Sequence, residues 1–239
     1  MTTPRIRVIG AGGIGLCLLP TLCRFLNYGS EKFSFSNPEL WIADGDNYEI
    51  KNAARQRFTR SDNKAVETAK LIIAEYPKID ARAFPNYVTE ENVASIVQEN
   101  DIIFSCVDNH ATRRMLSEYC GSMDNVVLIS GGNEYTDGNI QVYVRKNRRD
   151  ITLPLNSKYH PEIASPPDEN PGQATGCAAL APSSPQLLIT NNFVAALMLN
   201  AFYAVLTNNL AYDEAFADVV SNKVKPVQRT PNVKVEVVR

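Results

Sequence analysis

Short apolar runs alternate along this chain with stretches whose apolar residues recur every three or four positions. Ile6–Ile9 is β-rich and stops at glycines, and Gly13–Tyr28 then carries Leu16, Leu19, Leu22, Cys23 and Leu26 at helical spacing. Pro20 lies inside that helix and is expected to kink it. After a loop over Gly29–Pro38, Leu40–Ala43 reads as a strand and Asp62–Tyr76 as a helix with Ala65, Ala69, Ile72 and Ile73 on one face. The pattern continues with a strand at Ala81–Phe84, a short helix at Glu90–Gln98, a buried strand at Asp101–Cys106 and a helix from Ala111 to Cys120. Val126–Ser130 and Ile140–Val144 are further strands. Such alternation predicts an α/β fold: a Rossmann-like, mostly parallel sheet with helices on both faces, and antiparallel strands at one end.

The rest of the chain is less regular. Residues 154–185 hold half of the 14 prolines and little periodicity. A long structureless stretch within a compact domain is usually functional or disordered, and residues 146–185 are expected to form a mobile crossover segment inside a single domain, 1–239. Phe193–Leu206 is too short for a membrane span of about 20 residues and has Asn200 inside it, so it reads as a buried core helix. The tail ending KPVQRTPNVKVEVVR alternates apolar and polar residues and reads as an edge strand, with Val233–Val238 as its last part.

Composition narrows the class. The 239 residues include 24 Lys plus Arg and 26 Asp plus Glu, a formal net charge of −2. That balance offers no basic face for nucleic acid and no polybasic membrane anchor. MTTPRIRVIGAGG is not a signal peptide, since its apolar stretch is broken by glycines. None of the five cysteines sits in a CxxC pair and there are only two histidines, His110 and His160, so the paired spacing of a structural zinc site is absent. These features fit a protein of the reducing cytoplasm with mostly buried thiols.

The chemistry begins at VIGAGGIG. Gly10, Gly12, Gly13 and Gly15 lie between a strand and a helix, where a bare backbone and a helix N-terminus suit a phosphate. The turn alone fits a dinucleotide dehydrogenase as well as an adenylate-forming enzyme, and no P-loop string is present. The second strand ends in ADGDNYEIKNAARQRF, which puts Asp44 where a ribose-binding carboxylate belongs. Asn52, Arg55, Gln56 and Lys64 follow, a planar guanidinium, an ammonium and amides suited to a triphosphate. A later strand ends in FSCVDN, so Asp108 falls at a parallel-strand carboxyl end, where a carboxylate can hold Mg²⁺ beside phosphates. Alternatively Asp108 caps the helix that follows.

Together GAGGIG, DGDNYEIKNAARQ, Lys64 and VDN, in that order and spacing, resemble the superfamily of ubiquitin-activating and sulfur-carrier-activating enzymes over Ile6 to about Val144. The resemblance implies ATP and Mg²⁺ as cofactors. It implies that Asp44 holds the ribose hydroxyls, that Asp46 and Gln56 line the pocket, that Asn52, Arg55 and Lys64 grip the phosphates, and that Asp108 binds the metal. The implied reaction is adenylation of the C-terminal carboxylate of a small ubiquitin-like (β-grasp) protein. TGCAALAPSS further resembles the cysteine string of small single-domain activators, which maps a thioester-forming role onto Cys177. Cys17, Cys23, Cys106 and Cys120 fall on expected helices or strands and read as core. By resemblance the protein is a homodimer that hands its cargo to a conjugating-enzyme-like partner. Three other readings stand beside this one: a sulfur-carrier adenylyltransferase without a thioester step, a ubiquitin-like-binding pseudo-enzyme, and a nicotinamide-dependent oxidoreductase.

Overall fold

The computed structural model describes residues 4–29, 33, 35–50, 62–167 and 188–230. In chain order its elements are β1 (Arg5–Ile9), α1 (Gly13–Tyr28), β2 (Glu39–Ala43), α2 (Lys64–Glu75), β3 (Asp80–Phe84), α3 (Val93–Ile96), β4 (Ile102–Ser105) and α4 (His110–Gly121). There follow β5 (Val126–Asn133), β6 (Asp137–Lys146), β7 (Arg149–Asp150), α5 (Pro161–Ala164), α6 (Leu188–Leu206), β8 (Glu214–Asp218) and β9 (Lys223–Val227). All the strands join one sheet in the order β3-β2-β1-β4-β5-β6-β8-β9, with β7 beside β6. From β3 to β5 every pair is parallel, and from β5 onward every pair is antiparallel. The expected Rossmann-like sheet with an antiparallel end is therefore the observed one.

Strand alternation sends side chains to two apolar layers. Ile6, Val8, Leu40, Ile42 and Phe104 pack with α1, α2 and α6 on one face. Ile9, Ala43, Ile103 and Leu128 pack with α3, α4 and the α5 segment on the other. With both faces covered, β2 and β4 read as near-continuous apolar runs, while β1 carries the buried Arg7, paired with Glu39 and Asp101.

Several boundaries differ from expectation. Helix α1 runs through Pro20, whose side is exposed. The short helix expected at Glu90–Gln98 contracts to α3. Helix α6 begins before Phe193. It is long and apolar enough to cross a membrane by length and composition, yet half of that stretch is buried inside the protein. Strands β7 and β8 have no counterpart among the expected ones, and the edge strand is β9, at the head of the alternating tail. Residues 231–239, and with them Val233–Val238, lie outside the described residues.

The first part of the proline-rich stretch is packed. Thr152 is buried and its hydroxyl joins the β6 backbone, accepting from Val144 N at 2.7 Å and donating to Val142 O at 2.6 Å. Leu155 and Ile163 enter the second apolar layer. His160, ahead of α5, bridges Glu162 through Nδ1 at 2.9 Å and Glu214 of β8 through Nε2 at 2.8 Å. Arg229 closes the group on Glu214 at 3.1 Å. Burial works against a charge on His160, but hydrogen bonds and charges from Glu214 and Glu162 outweigh it and raise its pKa. Burial also opposes the charge on each glutamate, and the His160 partner, with Arg229 at Glu214 and His110 acting more remotely on Glu162, lowers both. The raised histidine contributes stability that is fully present below its ordinary value of about 6.5 and is lost as pH rises through its folded value. The glutamates act oppositely, and their contribution fades only in acid. The melting temperature should therefore decline above pH 6.5 in the wild type. That decline should shrink in His160→Gln; a variant with the wild-type profile would remove His160 as its cause.

Candidate functional site

The candidate site forms where the strand order reverses. The chain builds β1, β2 and β3 outward, then returns to lay β4 on the other side of β1. At such a switch point the connections leave in opposite directions and open a crevice outside the carboxyl ends of the strands. Register aligns those ends: Ile9 pairs with Ala43 and with Ser105, and Ala43 with Phe84. The residues that follow, Gly10–Gly15, Asp44–Asp46, Tyr87 and Asp108, therefore line one rim.

The four glycines of the turn have different reasons to be there. Gly10 has φ +97°, and a β-carbon on it would come within 2.7 Å of Cys106 O. A β-carbon on Gly15 would overlap Gly10 O, and one on Gly13 would overlap the Asn191 amide. Gly12 alone faces open space, with nothing within 4 Å. It is also the N-cap of α1 and supplies no capping side chain. The first N–H groups of a helix have no intrahelical partner, so this end of α1 is an uncapped donor cluster beside an open face. That arrangement fits an anionic phosphate.

Asp44 is tied directly to the turn. Its Oδ2 accepts from Ala11 N at 2.6 Å and its Oδ1 from Asp46 N at 2.8 Å. Asn63 Nδ2 donates to Asp44 O at 2.8 Å, while its Oδ1 caps α2 by accepting from Val66 N at 3.1 Å. Burial raises the pKa of Asp44, against the opposing effects of the Lys64 charge and the two backbone N–H groups. Lys64, the first residue of α2, has a largely buried side chain and donates from Nζ to Asp46 Oδ2 at 2.7 Å. Asp46 thus holds the ammonium at the rim, although Lys64 lies far from the glycine turn in sequence.

Asp108 does not cap α4. Asn109 does, accepting at Oδ1 from Thr112 N at 2.8 Å. This leaves Asp108 exposed at the end of the β4 connection. Among the described residues no cluster of three or more His, Cys, Asp or Glu is arranged to hold a metal. Any Mg²⁺ here would rest on Asp108 together with ligand oxygens, as that ion commonly does.

Two residues escape sequence reasoning. Tyr87 follows β3 and lays its ring on Gly45, where a β-carbon would meet three ring atoms within 2.7 Å. Its hydroxyl donates a short hydrogen bond to Asp46 Oδ1. Burial first, then that bond and the charges of Asp46, Asp44 and Asp108, push its pKa upward. The sequence signal was its place just past a parallel strand. Asn191, on α6 against Gly13, left no signal. Asn52, Arg55, Gln56 and Cys177 lie outside the described residues.

Fold and rim define a class: a Rossmann-like unit with its crevice at a β1/β4 switch point, a glycine turn on one side and carboxylates on the other. More narrowly, the ThiF family profile matches residues 1–235, and the chain belongs to that family. It is 27% identical over 209 residues to the adenylyltransferase and sulfurtransferase UBA4 of Debaryomyces hansenii, covering 83% of this chain and 42% of that protein. It is 27% identical over 143 residues to the molybdopterin-synthase adenylyltransferase of Haemophilus influenzae, covering 58% of this chain and 54% of the relative. The chain therefore spans about half or less of these relatives' length. Among solved structures, E. coli MccB shares the fold with a TM-score of 0.70 at 16% identity, over 97% of this chain and 64% of MccB.

Proposed function

We propose that this protein uses ATP and Mg²⁺ to adenylate the C-terminal carboxylate of a small ubiquitin-like protein. The observation that carries the reading is the open, uncapped α1 N-terminus at Gly12, next to the Ala11 N–H that donates to Asp44, with Lys64 paired to Asp46 just past the same strand end. The names of two similar proteins, both adenylyltransferases, support it, and the ThiF assignment favours adenylyl transfer over the nicotinamide alternative. In the reaction a carboxylate oxygen of the carrier attacks the α-phosphorus, the bond to the β-phosphate oxygen breaks, and pyrophosphate leaves. The chain's part is positioning and charge neutralisation. Asp44 orients the ribose, the α1 N-terminus receives phosphate, Arg55, Lys64 and Asn52 bind the leaving group, and Asp108 would hold Mg²⁺.

A second step follows in this reading. The Cys177 thiolate attacks the acyl-adenylate carbonyl, AMP leaves, and a thioester forms. The other thiols are poor candidates by their surroundings. Burial pushes Cys23, Cys106 and Cys120 up to about 12 and raises Cys17 as well, so almost none of their thiolate exists near neutral pH. The sulfur-carrier reading, which ends at the adenylate, is favoured by the names UBA4 and molybdopterin-synthase adenylyltransferase. In either reading the protein acts as a cytoplasmic homodimer, and in the first it passes its cargo to a conjugating-enzyme-like protein.

The test is ATP–pyrophosphate exchange with a β-grasp protein ending in glycine. Label should enter ATP only when the carrier is present. Arg55→Ala should abolish exchange, because it removes a bidentate donor to the phosphates. Exchange at the wild-type rate in that variant would defeat the triphosphate assignment, and no exchange with any such carrier would defeat the reading.

A further inference from the structure

The side chain of Asn191 is fully buried, and among the described residues neither its Oδ1 nor its Nδ2 has a hydrogen-bond partner. Its neighbours on α6 are satisfied. Thr190 Oγ1 donates to Tyr135 O at 2.8 Å, and Asn192 Nδ2 donates to Leu188 O at 2.9 Å. An amide with both polar atoms unpaired in the interior is costly, and an apolar side chain of the same shape would avoid the cost. Position explains why an amide stands there. It presses on Gly13, the first residue of α1, so closely that any β-carbon on Gly13 would overlap Nδ2. It therefore lies one residue from Gly12, at the uncapped helix end with the open face. An unsatisfied group retained there calls for an explanation, and a ligand at the open helix end would supply one.

We propose that Asn191 is a positioning residue for nucleotide, its Nδ2 donating a hydrogen bond to a phosphate oxygen seated on the α1 N-terminus. This rests on the adenylylation reading and adds to it a residue contributed by α6, the helix that follows the crossover stretch. The donor set at the turn then comes from two elements, the backbone of α1 and one side chain of α6.

The signature is a split between stability and binding. Asn191→Leu keeps the branching of the side chain and removes both orphaned polar atoms. The nucleotide-free variant should melt at or above the wild-type temperature. Its affinity for Mg²⁺·AMPCPP, measured calorimetrically on the full chain, should fall by about 10- to 100-fold, the loss of one hydrogen bond to a charged oxygen. Its affinity for adenosine, which has no phosphate, should stay unchanged. Asn191→Ala, which asks for no added bulk, should show the same loss for AMPCPP and covers the case in which leucine does not fold. Wild-type AMPCPP affinity in either folded variant overturns the proposal, as does an equal loss for adenosine. Failure of the wild type itself to bind AMPCPP overturns the adenylylation reading and this inference with it.

Discussion

Asp44→Ala is expected to weaken Mg²⁺·ATP binding by a hundredfold or more, read as the KM for ATP in pyrophosphate exchange or as the Kd for AMPCPP. A hydrogen bond to a charged acceptor is worth about 1.5–3 kcal/mol, and a ribose would present two hydroxyls to this carboxylate. The substitution also unties the site. Asp44 accepts from Ala11 N and from Asp46 N, so alanine leaves two donors without their acceptor, one of them in the glycine turn itself. Melting temperature should fall together with affinity. Asp44→Asn keeps one carbonyl acceptor and should sit between wild type and alanine on both measures. An alanine variant that binds AMPCPP like the wild type would remove Asp44 from the site.

Cys177→Ala should eliminate a reducible adduct with the carrier protein while exchange continues within about twofold of the wild-type rate, since adenylation precedes the thiol step and needs no protein nucleophile. Non-reducing electrophoresis after incubation with ATP and carrier reads the adduct, and added thiol should discharge it. The complementary variants carry equal weight. Cys17→Ala and Cys120→Ala should keep the adduct, because burial makes both thiols weak nucleophiles. An adduct that survives in Cys177→Ala and disappears in one of the others would move the nucleophile. Exchange without any adduct in the wild type would select the sulfur-carrier reading.

Much of this architecture is written in local sequence, and the physical reason is periodicity. Parallel strands buried on two faces favour apolar runs, and LWIA and IIFS meet that demand locally, while IRVI meets it apart from Arg7, whose buried guanidinium is paired with Glu39 and Asp101. The glycine turn is legible too, because backbone contacts at Gly10 and Gly15 exclude any side chain. Strand ends followed by acids put Asp44 and Asp108 on the rim as soon as the strands are parallel. The antiparallel end was harder to read. The β8 and β9 segments, EAFAD and KVKPV, carry charges and a proline, and the pairing of β8 with β6 and of β9 with β8 makes them strands.

Sequence by itself determined the fold class, the phosphate-accepting turn and the positions of its carboxylates, because each depends on residues within one strand–turn–helix unit. Only the tertiary structure decided which residue caps α4, that Asp46 pairs with Lys64 and Tyr87, and that Asn191 presses on Gly13. Those relations, the α4 cap apart, join residues from different elements, and no local periodicity encodes them. At the α4 start, Asn109 has the extended backbone of an N-cap and its side chain reaches Thr112 N, which leaves Asp108 outside the cap.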